Sequence, residues 1–495
     1  MARFRDLDMA PKFVPVDFIA QMVPGTFAHA MFHLVDELDL SPFDARYKND
    51  LTGAPAHSPA MLLRAVLLGY SQGLVSSRSI ESACLHNVLF MAVTADAKPH
   101  FTTIASFVSR SYAEIKLVFG QVMAILDREG LIAKDMFAID GVKLPSNASK
   151  SRSGSVSRLA RRAERMEAQV EKMLNRHREN DDQSSIEDVE AKGRARIERM
   201  AKDAKAIRDF LDANPKDRKG KKGGVRQSNL TDNESGLLKT DKGVIQGYCG
   251  IAVVDAAHQV IVAAEAFGTG AEQELLGEAL KACEGLRTKE TLVTADSGFH
   301  SADNLAEVAN QGINALIADP DMRRRQDAQQ GIDSSIAKRS RNKGLFEARD
   351  FVIAEDGSHA ICPAGKHMHR NGEMCGAGAS VATRYRASTA SCNECPLRTQ
   401  CLRQPQKRYA RQIAILRPSG ATNHLAIMRE KIDSEEGRKQ YSRRIGTVEP
   451  VFANIRHNKR MDRFTLRGRN KVDGQWKLFA LVHNIEKLGK FRSAA

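Results

Sequence analysis

A chain of 495 residues, 42% of them apolar, is long enough for two to four folded units and apolar enough to bury a sizeable core, which excludes wholesale disorder. Its formal net charge of +15 and pI near 9.4 suit a polyanionic partner, nucleic acid or an acidic membrane surface, although a basic balance also serves solubility alone. No apolar run is long enough to span a bilayer, and residues 1–13 alternate charged with apolar side chains instead of forming a leader, so no membrane association and a cytoplasmic location are expected.

Residues 13–130 read as helical. Pro59 opens a run with apolar residues three to four apart, Ser76 and Ser77 offer hydroxyl caps to a next helix, and Thr102 begins a third. A helical domain over 1–130 follows, suited to DNA binding or to dimerisation. At residues 136–140 the texture changes to a short apolar run ending on Asp140 and Gly141, which predicts a buried strand with its acid at the exit. Residues 151–225 are highly charged and predict an inserted helical hairpin. Its apolar stripes are Leu159, Met166, Val170, Met173 and Leu174, then Ile197, Met200, Ala204, Ile207 and Leu211, with the polar break at Gln183. Its charge is that of a solvated face, with DNA contact as the alternative.

Strands are predicted at 243–255 and 259–264 around a turn at 256–258, then a helix at 272–284, a strand at 291–296, a helix at 303–309 and a strand at 313–318. Antiparallel strands followed by alternating helix and strand indicate an α/β core with a mixed sheet. An insert over 320–430 interrupts it, and residues 435–490 are helix-rich. Trp476, Leu478, Phe479, Leu481 and Leu488 recur at helical spacing and read as core.

Three acids draw attention. Asp140 and Asp296 each end an apolar run and are followed at once or soon by glycine, and carboxylates at strand exits reach an open cleft while the sheet fixes their positions. Either alone is an ordinary turn or cap acid. Glu449 stands ahead of Pro450, where a first-turn helix acid is routine. Beyond it, residues 456–471 concentrate positive charge, including Arg456, Lys459, Arg460, Arg467 and Arg469, a pattern that suits a phosphate backbone.

Five of the eight cysteines fall between 362 and 401. Cys392 and Cys395 form a C-x₂-C step flanked by Cys362 and Cys401, with Cys375, His367 and His369 as spare ligands. Tetrahedral Zn²⁺ in a structural knuckle fits this spacing, and an Fe–S cluster or reduced thiols fit it as well. Cys84, Cys249 and Cys283 sit in apolar surroundings and read as buried small hydrophobes.

Together these segments resemble the bacterial insertion-sequence transposases of the DDE type. The resemblance runs in order through residues 76–81, 99–107, 139–150, 229–235 and 246–248. It continues through Ala295-Asp-Ser-Gly-Phe-His-Ser301, Val448-Glu-Pro-Val-Phe452 and Arg467-Gly468. It implies an RNase H-like catalytic core over 131–495, with a helical N-terminal transposase domain and a cysteine-rich insert. It also implies a triad of Asp140, Asp296 and Glu449 that holds Mg²⁺ (or Mn²⁺). In related transposases Tyr and Arg precede the Glu and Lys follows it. Tyr441 and Arg444 match with one extra residue before Glu449, and Arg456 stands at the Lys position, keeping the charge but not the geometry. The implied activity is cutting of terminal inverted repeats in double-stranded DNA and their joining to target DNA, by a homodimer that synapses two ends. A non-catalytic DNA-binding protein would share the charge and the cysteines, and a nuclease without strand transfer would share the acids.

Overall fold

The structure, a computed structural model, describes residues 15–47, 55–180, 187–220, 223–329, 345–354, 356–375, 380–418 and 424–494. The charge alternation at residues 1–13 and the polar break at Gln183 lie outside the described residues, as does the side chain of Cys375. The chain divides into two compact units, Met1–Phe299 with Ser442–Ala495, and His300–Tyr441. No helix among the described residues is long and apolar enough to cross a membrane.

The first unit opens with helices α1 (Phe27–Asp36), α2 (Pro59–Ser71), α3 (Ser77–His86), α4 (Val88–Thr94), α5 (Phe101–Arg110) and α6 (Tyr112–Arg128). Local chemistry sets their starts. Thr26 Oγ1 accepts from the His29 amide at 3.3 Å, Ser76 Oγ from the Ser79 amide at 3.1 Å, and Pro59 occupies a first-turn position where a missing N–H costs nothing. Helix α2 is buried on most sides, from Leu62 to Tyr70, because α1, α4 and α5 all pack on it.

A mixed sheet follows. Strand β1 (Met136–Pro145) pairs antiparallel with the long β3 (Gly243–Asp255), from Phe137↔Asp255 to Pro145↔Gly247. Strands β2 (Gly236–Thr240) and β4 (Ile261–Phe267) pair antiparallel with successive stretches of β3. On its other edge β1 takes β5 (Leu292–Ala295) in parallel, from Met136↔Leu292 to Ile139↔Ala295. Met136 to Ile139 are fully buried, as expected of a strand covered on both faces. Between β1 and β2 lie two long helices, α7 (Val156–Asn180) and α8 (Glu187–Ala213), packed on each other through Leu159, Ala163 and Ile207. Leu174, read as part of an apolar stripe, is exposed.

Short helix α9 (Leu276–Ala282) precedes β5. Helix α10 (Glu435–Ala453) enters the first unit at Ser442, passes into a π-helical turn at Asn454–Asn458, and is followed by α11 (Arg469–Ala494). Trp476, Leu478, Phe479, Leu481 and Leu488 are all buried on α11, which packs on β4, α6, α1 and α2. The Trp476 indole N–H donates to the Ile251 carbonyl at 2.8 Å, and Phe479 stacks on Tyr70 at 4.5 Å. Each such aromatic contributes about 1.5–3 kcal/mol by burial. Cys84, Cys249 and Cys283 are buried too.

Two local expectations change. Strand β1 does not end at Asp140, because β3 is long enough to keep pairing as far as Pro145; only its parallel neighbour stops, at Ile139↔Ala295. Nor does a helix begin at Glu449, since α10 starts at Glu435 and carries Pro450 inside it. Proline cannot donate to the carbonyl four residues back, and Gln259 Nε2 replaces that bond by donating to the Gly446 carbonyl at 2.9 Å.

The second unit holds an antiparallel sheet in chain order, β6 (Val352–Ile353), β7 (His359–Ile361), β8 (His367–Cys375), β9 (Ser380–Ala387) and β10 (Gln412–Pro418). Phe351, Ala360, Met368, Tyr385 and Ile413 form its core. Helices Ala302–Asn310 and His424–Asp433 pack together beside the short strand Ala315–Ile317, and Arg325 bridges Asp319, at 2.7 Å, and Asp433, at 2.6 Å.

Candidate active site

The register of β1 and β5 fixes the site. The last parallel pair is Ile139↔Ala295, so Asp140 and Asp296 are the next residue on each chain, side by side where the parallel pairing ends. Asp140 Oδ1 accepts from the Gly141 amide at 2.8 Å, and its Oδ2 meets Arg444 Nη2 at 3.1 Å. Asp296 Oδ1 accepts from the Gly298 amide at 2.9 Å. Burial pushes the Asp140 carboxyl up to about 6; Arg444 and the Gly141 amide oppose this, while the negative charges of Asp296 and Glu272 add to it.

Glu272 lies in the short turn before α9 and was not singled out by sequence. Its Oε1 pairs with Lys143 Nζ of β1 at 2.9 Å. Burial opposes the charge on Lys143, but the Glu272 carboxylate outweighs it and holds the ammonium above its usual range. Gly298 makes room for this acid, whereas the missing side chain of Gly141 makes room for Ile251. A Cβ on Gly298 would collide with Glu272 Oε2 and stand 3.0 Å from Asp296 Oδ1; a Cβ on Gly141 would stand 2.8 Å from Ile251 Cδ1 and 3.9 Å from Glu272 Oε1. In sequence Glu272 is indistinguishable from a first-turn acid. Gly298, two residues after Asp296, is the only local mark of its approach.

Glu449 is on the exposed side of α10, whereas Arg444, Val448 and Val451 of the same helix are buried. Among the described residues, no group of three His, Cys, Asp or Glu side chains already stands in position to hold a metal ion. The donor types of the cluster nonetheless suit a hard divalent cation: close carboxylates that repel one another, fixed by amides and cradled by glycines.

The cations expected at DNA divide into two kinds. Arg456, Arg460, Arg467 and Arg469 are exposed, with Arg467 Nε donating to the Asn147 carbonyl at 2.8 Å and Arg469 lying 4.7 Å over the Phe267 ring. Arg444 and Lys459 are buried instead. Arg444 serves Asp140 and reaches the Ile139 carbonyl at 3.4 Å, and the Lys459 ammonium is paired with Glu486. Tyr441 is half-buried in α10.

In the second unit Cys362, Cys392, Cys395 and Cys401 line one small cavity, with Arg398 and Arg411 beside them. The Lys366 amide donates to Cys362 Sγ at 3.3 Å, and the Cys362 amide to the Lys366 carbonyl at 3.0 Å, closing a knuckle-like turn. Burial pushes the Cys401 thiol up, Arg411 pulls it down, and the other three thiols push it up again. Four soft ligands around one space are a donor set that suits Zn²⁺.

Residues 361–489 match the family model described as transposase DDE domain, and residues 17–110 match that described as transposase domain (DUF772). The first stretch contains the four cysteines, Arg444 and Glu449; Asp140 and Asp296 lie outside both. No curated protein matches the chain. Two transposase domains in one chain, the later of them a DDE domain, identify it as a member of the DDE-type insertion-sequence transposases.

Proposed function

We propose that the protein cuts the ends of its own insertion sequence and joins them to target DNA, using Asp140, Asp296 and Glu449 to hold two Mg²⁺ (or Mn²⁺) ions. The observation that carries this reading is the emergence of Asp140 and Asp296 together where the parallel pairing of β1 and β5 stops. An antiparallel trio (β1, β3, β4) joined through α9 to a strand parallel to the first supports the RNase H-like core that the resemblance implies. When bound, the ions supply a water that ionises near neutral pH and neutralise charge on the phosphate under attack.

The chain's own residues do the rest. The Gly141 and Gly298 amides orient the two aspartates, and Arg444 favours the ionised form of Asp140 against its burial. Exposed Arg456, Arg460, Arg467 and Arg469 offer phosphate contacts that position DNA without reading its sequence. Helices within 1–130 and the hairpin over 151–225 are the parts available for end recognition and pairing. Two ends must be held at once, so a homodimer is the working assembly, acting on DNA in the cytoplasm. A Zn²⁺ at Cys362, Cys392, Cys395 and Cys401 would stabilise the segment over 320–430 without taking part in chemistry.

The test uses purified full-length protein, Mg²⁺ and a supercoiled plasmid carrying the DNA that flanks the gene at both sides. Nicking at the ends and joined products are expected, and Asp140→Asn keeps end binding but loses nicking. Undiminished nicking by Asp140→Asn overturns the assignment of the site, and cleavage without joined ends makes the protein a nuclease.

A further inference from the structure

We infer that Glu272 is a further metal ligand of this site, standing with Asp140 and Asp296 before Glu449 contributes. The inference rests on the two-metal reading above and extends it to a residue outside the triad. Three features of the fold point to it.

The Glu272 carboxylate occupies the space over Gly298 that any side chain there would fill, beside Asp296 Oδ1, and its other oxygen would stand 3.9 Å from a Cβ on Gly141. One acid therefore stands close to the glycine that follows each aspartate. Its charge also bears on Asp140 together with that of Asp296, so all three acids belong to one electrostatic cluster. Lys143, the cation paired with Glu272 at 2.9 Å, comes from β1 three residues after Asp140. A flexible ammonium on the same strand can give way to a divalent ion, which a backbone donor could not do.

The test is Mn²⁺ binding to the full-length protein without DNA, read from the free-ion electron paramagnetic resonance signal. Thermal midpoints are recorded in parallel without metal. Glu272→Gln is expected to weaken Mn²⁺ binding at least tenfold with a midpoint close to wild type, and Glu272→Asp to restore part of it. Lys143→Met leaves the acid in place and unpaired, and is expected to tighten binding at least threefold. Wild-type Mn²⁺ binding in Glu272→Gln, or unchanged or weaker binding in Lys143→Met, overturns the inference. Asp140→Asn separates this failure from failure of the site as a whole. If it too binds Mn²⁺ as wild type does, the two-metal reading falls; if it alone loses binding, only the role of Glu272 falls.

Discussion

Asp140→Asn should stabilise the metal-free protein at neutral pH while removing its activity. The Asp140 carboxyl is pushed up to about 6 from an ordinary 3.8, chiefly by burial. The native state therefore holds on to a proton that the unfolded chain releases, and stability falls as pH rises from near 3.8 to about 6 and stays lowered above that. The gap corresponds to about 3 kcal/mol at 1.36 kcal/mol per unit. Asp140 retains 26% exposure, so solvent screening makes this an upper value. Asparagine resembles the protonated acid and escapes the penalty. Thermal unfolding of wild type and variant, in chelator, should show the variant higher by a few degrees at pH 8, with the difference vanishing near pH 4. Mg²⁺ at pH 8 should then raise the wild type alone, because binding to the folded state adds stability. A variant less stable than wild type at pH 8, or a difference that ignores pH, would refute the reasoning.

Arg444→Met removes the cation that opposes burial at Asp140, so the acid limb of the nicking pH profile should move upward by on the order of one unit; an unmoved limb rules out the coupling. Trp476→Ala empties a site between α11 and β3 and leaves the Ile251 carbonyl without its indole donor, which should cost about 3–5 kcal/mol of stability in denaturant unfolding; a loss below about 1 kcal/mol would show that α11 does not anchor the sheet. Metal analysis of protein purified without chelator should find about one Zn²⁺ per chain, lost in the Cys392→Ser, Cys395→Ser double variant; equal zinc in both would remove these thiols from the site.

The alternating helix and strand texture from 243 to 318 was legible because each element carries its own period, and the observed strands overlap the expected stretches, with Ile261–Phe267 running three residues past the expected end at 264. The two strand acids were legible for the same reason, although the extent of β1 was not. Where a strand stops depends on how far its neighbours run, and here one neighbour outlasts the other by six residue pairs. Glu272 was illegible because nothing local distinguishes it; its place is set by the space over Gly298 and the pair with Lys143, both distant in sequence.

The basic stretch shows the same limit from the opposite side. Sequence displays a cation but not its partner, and Arg444 and Lys459 looked like DNA contacts until Asp140 and Glu486 accounted for them. Burying an arginine is costly unless it is paired, so Arg444 fixes α10 against β1 at the first acid. Five residues on, Glu449 is about 7.5 Å further along the helix axis and on its exposed side. The ion pair that keeps Asp140 ionised thus also sets where the third member of the proposed triad stands, which couples the electrostatics of β1 to the position of α10 through one side chain.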